Sequence, residues 1–322
     1  METRRLANTA LNVSRICFGT MTFGSQVDEA AAIRIVDRCL DAGVNFLDTA
    51  NVYNHGASEV IVGKALKGRR DRVVLASKVR GKMGDGPEES GLSRAAMFKA
   101  VDDTLRRLGT DYLDLYYLHQ PDYAVPIEET LETMDEVVRA GKVRYPACSN
   151  YAAWQVLQML WIADRKGYAP AMVTQPMYNL LARGIEQEYL PMCREFGIAT
   201  VVYNPVAGGL LTGKHRREAP GAGTRFDNNQ MYLDRYWHPA CFDAVEALRG
   251  VAARAGRSLV SLALNWLLHH TPADCVIVGA SRIEQFEENL AAAEEGALPA
   301  DAVEACDRVW ERLRGVTPKY NR

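Results

Sequence analysis

Apolar and polar positions along the chain follow two alternating rhythms. Short β-branched or aromatic runs at 15–19, 44–47, 72–77, 112–118, 142–148, 172–175, 198–203 and 274–279 have the composition of strands covered on both faces. Between them apolar residues recur at helical spacing. In 30–40 these are Ile33, Val36, Cys39 and Leu40, while 95–108 follows Ser93, a fitting N-cap, and stops at Gly109. Further helices are predicted at 151–166, 186–196, 258–270 and 282–293. A tail helix at 299–313, with Val303, Cys306, Val309, Trp310 and Leu313, is predicted to pack on the body of the fold. Eight strands alternating with helices over about 300 residues predict an α/β fold, a (β/α)8 TIM-type barrel with an extra C-terminal helix and long substrate loops, as one domain over 1–322. The active site of such a barrel lies at the C-terminal ends of its strands.

Four residues sit just past those ends or close to them: Asp48, Tyr53, Lys78 and His119. Each alone has an ordinary reading, as a helix N-cap, a loop tyrosine, a solvated lysine and a packed histidine. Together at one barrel mouth they form an acid, a cation, a phenol and an imidazole within mutual reach. Reducing a carbonyl by hydride transfer needs a proton for the developing alkoxide and a dry, polarising pocket. Tyr53 would be the acid. Its ordinary pKa of about 10 calls for a nearby cation, which Lys78 supplies and Asp48 holds in place. His119 would orient the carbonyl oxygen as a hydrogen-bond donor, an effect typically worth about 3 kcal/mol.

Other nucleotide motifs are incomplete. Gly208-Gly209-Leu210-Leu211-Thr212-Gly213-Lys214 approaches a P-loop, but His215 stands where the magnesium-binding hydroxyl belongs. No G-x-G-x-x-G follows the first strand, and Gly81-Lys82-Met83-Gly84-Asp85-Gly86 lies past the third, where it reads as a flexible loop over the mouth. A Rossmann dehydrogenase and an ATPase are thereby disfavoured. The stretch 219–239 is too long for an ordinary connection, and its Gly221, Gly223, Arg225, Tyr232, Arg235 and Trp237 suggest a functional loop.

The four residues and their surroundings resemble the aldo-keto reductases over nearly the whole chain. The matching stretches are Gly19-Thr20-Met21, Asn45-Phe46-Leu47-Asp48-Thr49-Ala50 with Tyr53, Ala76-Ser77-Lys78, Asp114-Leu115-Tyr116-Tyr117-Leu118-His119 and Ser149-Asn150-Tyr151. Asn150 to Trp154, Tyr203 to Lys214, Arg235-Tyr236-Trp237 and the run from Glu287 to Gly296 are closest to the aflatoxin-aldehyde and succinic-semialdehyde reductase branch. The resemblance implies an NADPH-dependent reductase of aldehydes and ketones, with NADPH/NADP+ as cofactor and small carboxylated or dicarbonyl aldehydes as substrates. It implies a nicotinamide stacked on Tyr203, with its amide held by Ser149, Asn150 and Gln175. A pyrophosphate would run along Asn204, Pro205, Val206, Ala207, Gly208, Leu210 and Lys214, with Arg225 a further contact. The adenosine end would meet Gly279, Ser281, Arg282, Gln285, Glu288 and Asn289. Ser281 and Arg282 open a predicted helix, where first-turn amides and a guanidinium receive an anion, which favours NADPH over NADH. The chain lacks the lysine that other members place beside the 2′-phosphate. By the same resemblance Met21, Tyr232 and Arg235 line the substrate pocket, the terminal Arg322 folds back to it, and the protein is a dimer. Two arginines there would pair with a carboxylate or a dicarbonyl hydrate.

His119 argues against the steroid double-bond reductases of the family, in which a glutamate replaces it. Two departures stand out: Ala147-Cys148 precedes Ser149 where relatives often carry a glycine, and Pro146 falls inside the fifth strand, odd for a central barrel strand. Two other classes share the tetrad or the fold: a ketoreductase of sugar or secondary-metabolite biosynthesis, and a non-catalytic NADPH-binding redox sensor resembling channel β-subunits.

Composition adds limits. The 322 residues are 48% hydrophobic with net charge −2, and no basic face for nucleic acid is apparent. No apolar stretch is long enough to span a membrane and no secretory leader is evident, so a cytoplasmic enzyme acting on small molecules is expected. Seven scattered cysteines form no C-x-x-C pair, suiting reduced thiols, and no metal site is suggested. His269-His270 closes a predicted helix, where a positive side chain suits the dipole.

Overall fold

The computed structural model describes residues 1–316. A short antiparallel hairpin, β1 (Thr3–Arg5) and β2 (Asn12–Ser14), precedes eight strands: β3 (Ile16–Gly19), β4 (Phe46–Asp48), β5 (Val74–Val79), β6 (Leu113–Leu118), β7 (Val143–Ser149), β8 (Val173–Gln175), β9 (Ala199–Val202) and β10 (Cys275–Val278). They close into a barrel in chain order, every neighbouring pair parallel, with β10 completing the ring against β3. This is the predicted (β/α)8 architecture.

The near-continuous apolar character of the strands follows from two separate cores. Cys17, Phe46, Ala76, Leu115, Tyr117, Ala147, Val173, Val201 and Cys275 fill the barrel interior, capped from below by Leu6, Leu11 and Val13 of the hairpin segment. The alternate residues, among them Phe18, Leu47, Leu75, Tyr116, Leu118 and Val202, face the helices. With the N-terminal end of the interior plugged by apolar side chains, the open end is the opposite mouth.

Around the barrel run α1 (Glu29–Asp41), α2 (Ala57–Ala65), α3 (Arg94–Leu108), α4 (Ile127–Arg139), α5 (Ala153–Lys166), α6 (Tyr189–Glu195), α7 (Gln230–Tyr236), α8 (Pro239–Arg254), α9 (Leu259–His270), α10 (Ile283–Glu294) and α11 (Ala300–Arg314). Ser93 accepts from the Ala96 amide at 3.4 Å, and Gly109 closes α3 in the left-handed region at φ 63°, as their side chains predict. The hairpin, α2, α4 and α8 were not read from the sequence, and the long 219–239 connection carries α7 rather than remaining a loop. Pro146 does lie within β7, opposite Tyr116, but β8 is registered to β7 only at Cys148 and Ser149, so one flank has no ladder partner beside the proline.

His270 does not serve as a positive cap on α9. Its Nε2 accepts the Leu298 amide at 2.9 Å, which requires an unprotonated nitrogen there, and burial holds its pKa below the usual histidine range.

Gly63 marks a close helix contact. A Cβ there would lie 2.5 Å from the Leu108 carbonyl oxygen, so α2 rests directly on the end of α3. Gly63→Ala should cost about 1–3 kcal/mol as an overpacked contact, read as a lower urea midpoint; an unchanged midpoint would contradict that packing.

Candidate active site

Asp48 ends β4 and Lys78 lies one residue before the end of β5, so parallel pairing brings both to the same mouth. Lys78 is fully buried and Asp48 is 2% exposed. An ammonium has three N–H donors and no acceptor. Lys78 donates to Asp48 Oδ1, to the Thr49 carbonyl at 2.8 Å and to Tyr53 Oη at 3.2 Å. The other carboxylate oxygen of Asp48 accepts from Gln175 Nε2 at 2.9 Å, across the barrel from β8. Both ions are thus paired and bonded on every side, the condition under which charge survives burial.

That closure sets the protonation states. Burial opposes the charged form of Lys78, but Asp48 and the two side-chain bonds outweigh it and raise its pKa. Burial raises the Tyr53 pKa, and Lys78 only partly offsets this, so the phenol keeps its proton. The sequence-based expectation that Lys78 would make Tyr53 readily acidic is met only as an opposing influence. Because Lys78 can only donate, Tyr53 Oη accepts from it and its own O–H is left to point elsewhere. Tyr53 leads into a turn in which Asn54 and His55 both take left-handed backbone angles, φ 50° and 52°.

His119 follows β6, and its ring meets the Tyr53 ring edge-on at 6.0 Å between centroids. Burial first, then the positive charges of Lys78 and Arg80, push its pKa down to about 3, so the imidazole is neutral. A neutral ring still carries one N–H donor.

The residues expected around a nicotinamide form one hydrogen-bonded chain. Tyr203 Oη donates to Asn150 Oδ1 at 2.8 Å, Asn150 Nδ2 reaches Ser149 Oγ at 3.0 Å and the His119 carbonyl at 2.9 Å, and Ser149 Oγ donates to the Gln175 carbonyl at 2.8 Å. Gln175 carries this chain into Asp48. Its bond to the acid was not anticipated from sequence, although its place at the end of β8 is the signal that could have found it.

Asn204, Ala207, Gly208 and Gly209 all have positive φ and fold 204–214 into a tight double turn. A Cβ on Gly208 would sit 2.7 Å from Tyr232, so only glycine fits there. Asn204 is pinned by Gly208 N donating to its Oδ1 at 2.9 Å and by its Nδ2 on Tyr236 Oη at 3.1 Å. The side chains of Ala207 and Leu210 belong to the core, and Pro205 is also buried; Val206 is half-buried and Lys214 is exposed.

Arg282 holds the N-cap position of α10 with no side-chain cap on the first turn. Beside it Gln285 Oε1 accepts from Ser281 N at 2.9 Å, Asn289 Nδ2 reaches the Gly279 carbonyl at 3.3 Å, and Glu288 is exposed. Met21, Tyr232 and Arg235 gather with Arg225, whose Nη1 lies 2.8 Å from Met21 Sδ. The Arg225 and Arg235 guanidinium groups lie 5.5 and 5.8 Å from the Tyr232 ring centroid. Arg225, expected at the cofactor, thus stands beside Met21 and Tyr232, two residues expected at the substrate. Arg322 lies outside the described residues. Among the described residues no group of three or more His, Cys, Asp or Glu could hold a metal ion, and no helix is long and apolar enough to cross a membrane.

The family model described as "Aldo/keto reductase family" matches residues 15–311. The chain is 37% identical to "Aflatoxin B1 aldehyde reductase member 2" of Rattus norvegicus over 322 residues, covering 94% of this chain and 86% of that protein. It is 36% identical to "Probable voltage-gated potassium channel subunit beta" of Arabidopsis thaliana, covering 91% of each. It is also 36% identical to "Uncharacterized oxidoreductase YrpG" of Bacillus subtilis, covering 99% of each.

The depressed His119 pKa has a definite sign in stability. The unfolded chain protonates this histidine near 6.5 and the native state only near about 3, so native stability is lost as pH falls through that window. His119→Asn should flatten the loss, measured as urea midpoints at stepped pH. An NMR signal assigned to His119 by its loss in His119→Asn and titrating near 6.5 would contradict the assignment.

Proposed function

The chain belongs to the aldo/keto reductase family and is an oxidoreductase, and on that premise we propose that it reduces small carboxylated or dicarbonyl aldehydes with NADPH, using Tyr53 as the general acid. The observation that carries this reading is the placement of all three Lys78 donors on Asp48, Thr49 and Tyr53 at the barrel mouth. A fixed cation beside a still-protonated phenol is suited to giving up that proton as negative charge develops on a carbonyl oxygen, because Lys78 stabilises the phenolate left behind. Neutral His119, edge-on to the Tyr53 ring, donates to the same oxygen and positions it.

The fit of a nicotinamide nucleotide is supported by several features. The Ser149–Asn150–Gln175–Tyr203 chain ends on the tetrad, the glycine turn at 208–209 exposes backbone, and the uncapped start of α10 lies beside Arg282. When bound, the nucleotide supplies the hydride. At the other end, a helix N-terminus with a guanidinium suits a 2′-phosphate, which favours NADPH. Glu287 nearby is engaged by Arg38, which lessens its repulsion of an anion. Arg235 and Arg225 around Tyr232 suit a substrate carboxylate.

The test is loss of reduced-cofactor absorbance, with NADPH and separately with NADH, on succinic semialdehyde, 2-carboxybenzaldehyde, methylglyoxal and 4-nitrobenzaldehyde. Turnover should favour the carboxylated aldehydes and NADPH, and Tyr53→Phe should abolish it while leaving NADPH affinity within about threefold. Normal turnover by Tyr53→Phe removes the acid assignment. Tight NADPH binding without turnover on any aldehyde would instead favour a sensor, the reading encouraged by the channel-subunit relative. Activity confined to nucleotide-linked keto-sugars would favour a biosynthetic ketoreductase.

A further inference from the structure

Between β5 and α3, on the helix-facing side of the barrel wall, lies a carboxylate that the proposed chemistry does not use. Glu59, near the start of α2, is fully buried. Its Oε1 accepts from Ser77 Oγ at 2.5 Å and Thr104 Oγ1 at 2.9 Å, and its Oε2 accepts from Arg107 Nε at 2.7 Å. Taking a carboxylate wholly out of water is costly, and well-packed apolar side chains often replace buried ion pairs with no loss of stability. Three donors in fixed directions do something an apolar side chain cannot, which is to set the position of what they belong to.

What they belong to is the machinery above. Ser77 immediately precedes Lys78 on β5. Arg107 lies along Gly56, where a Cβ would sit 2.8 Å from its Cδ, so it braces the end of the left-handed turn begun by Tyr53. The neighbouring Ser58 donates to the Thr20 carbonyl at 2.9 Å and meets Thr49 Oγ1 at 3.0 Å, and the Thr49 carbonyl is one of the three acceptors of Lys78. The first turn of α2 thus approaches Lys78 along two routes and Tyr53 along a third.

We propose that Glu59 is a positioning residue for the reduction, fixing Lys78 through Ser77 and the Tyr53 turn through Arg107. The proposal rests on the reductase reading above. Glu59→Gln keeps the shape but sets an amide N–H₂ against donors. It should lower kcat about tenfold or more, shift the pH at which kcat declines, and leave the NADPH Kd within about twofold, since small displacements of reacting groups carry large rate costs. A role confined to stability would lower the urea midpoint and leave the kcat of folded enzyme and its pH profile unchanged, which overturns the proposal. Should Glu59→Gln not fold, Ser77→Ala removes a single donor and should show the same pattern in smaller measure; an unchanged kcat and pH profile there also overturns it. Crystal structures of the wild type and variant give a readout independent of turnover. A lengthened Lys78 Nζ to Tyr53 Oη separation supports positioning and an unchanged one refutes it, whereas a wild type inactive on every carbonyl tested counts against the reductase reading alone.

Discussion

The mouth of the barrel is organised by one buried ammonium. Lys78 lies out of water with each of its three N–H groups assigned, to Asp48, to the Thr49 carbonyl and to Tyr53. Removing any acceptor would leave a buried donor or a buried charge unmatched, at a cost of several kcal/mol. The arrangement therefore admits little slack. It requires β4 and β5 to be adjacent and parallel, it requires the Tyr53 turn to enter the left-handed region, and through Gln175 it requires β8 to face β4 across the interior.

Those requirements explain features that look unrelated along the chain. The lower half of the barrel interior is filled by apolar side chains and closed by the N-terminal hairpin, which leaves the upper rim as the open end. The rim is then extended outward by hydrogen bonds, from Asp48 through Gln175, Ser149 and Asn150 to Tyr203, so that the tetrad and the expected nicotinamide contacts belong to one connected network. Electrostatics follows from geometry. Burial keeps Tyr53 protonated and His119 neutral, whereas at Lys78 the Asp48 carboxylate and the side-chain hydrogen bonds outweigh burial and keep the ammonium charged.

Much of this was legible in the sequence, for physical reasons. Strands buried on both faces must be apolar throughout, so their ends are conspicuous wherever a polar residue appears, and Asp48, Lys78, His119, Ser149 and Gln175 stand at such ends. Helices with clear caps, such as the one begun by Ser93 and ended by Gly109, were equally plain. Less visible was α4, whose Leu131, Met134 and Val137 are spaced for a helix but sit among acidic residues. Least legible were relations between distant side chains. Nothing local to Gln175 indicates that its amide is turned to Asp48, and nothing local to Glu59 announces three donors from β5 and α3. Nor could spacing show that Arg225 would gather with Met21 and Tyr232, a consequence of how the loop around α7 folds back over the mouth.

If the Lys78 charge is what makes Tyr53 a usable proton donor, removing that charge must cost rate without unfolding the chain. Lys78→Met keeps the length of the side chain and removes the charge. The decisive measurement is its single-turnover rate of NADPH oxidation on succinic semialdehyde, with folding verified by circular dichroism. The expected result is a loss of about a thousandfold, within the range of general-acid catalysis, with NADPH still bound. A folded Lys78→Met enzyme within about tenfold of the wild-type rate would contradict it.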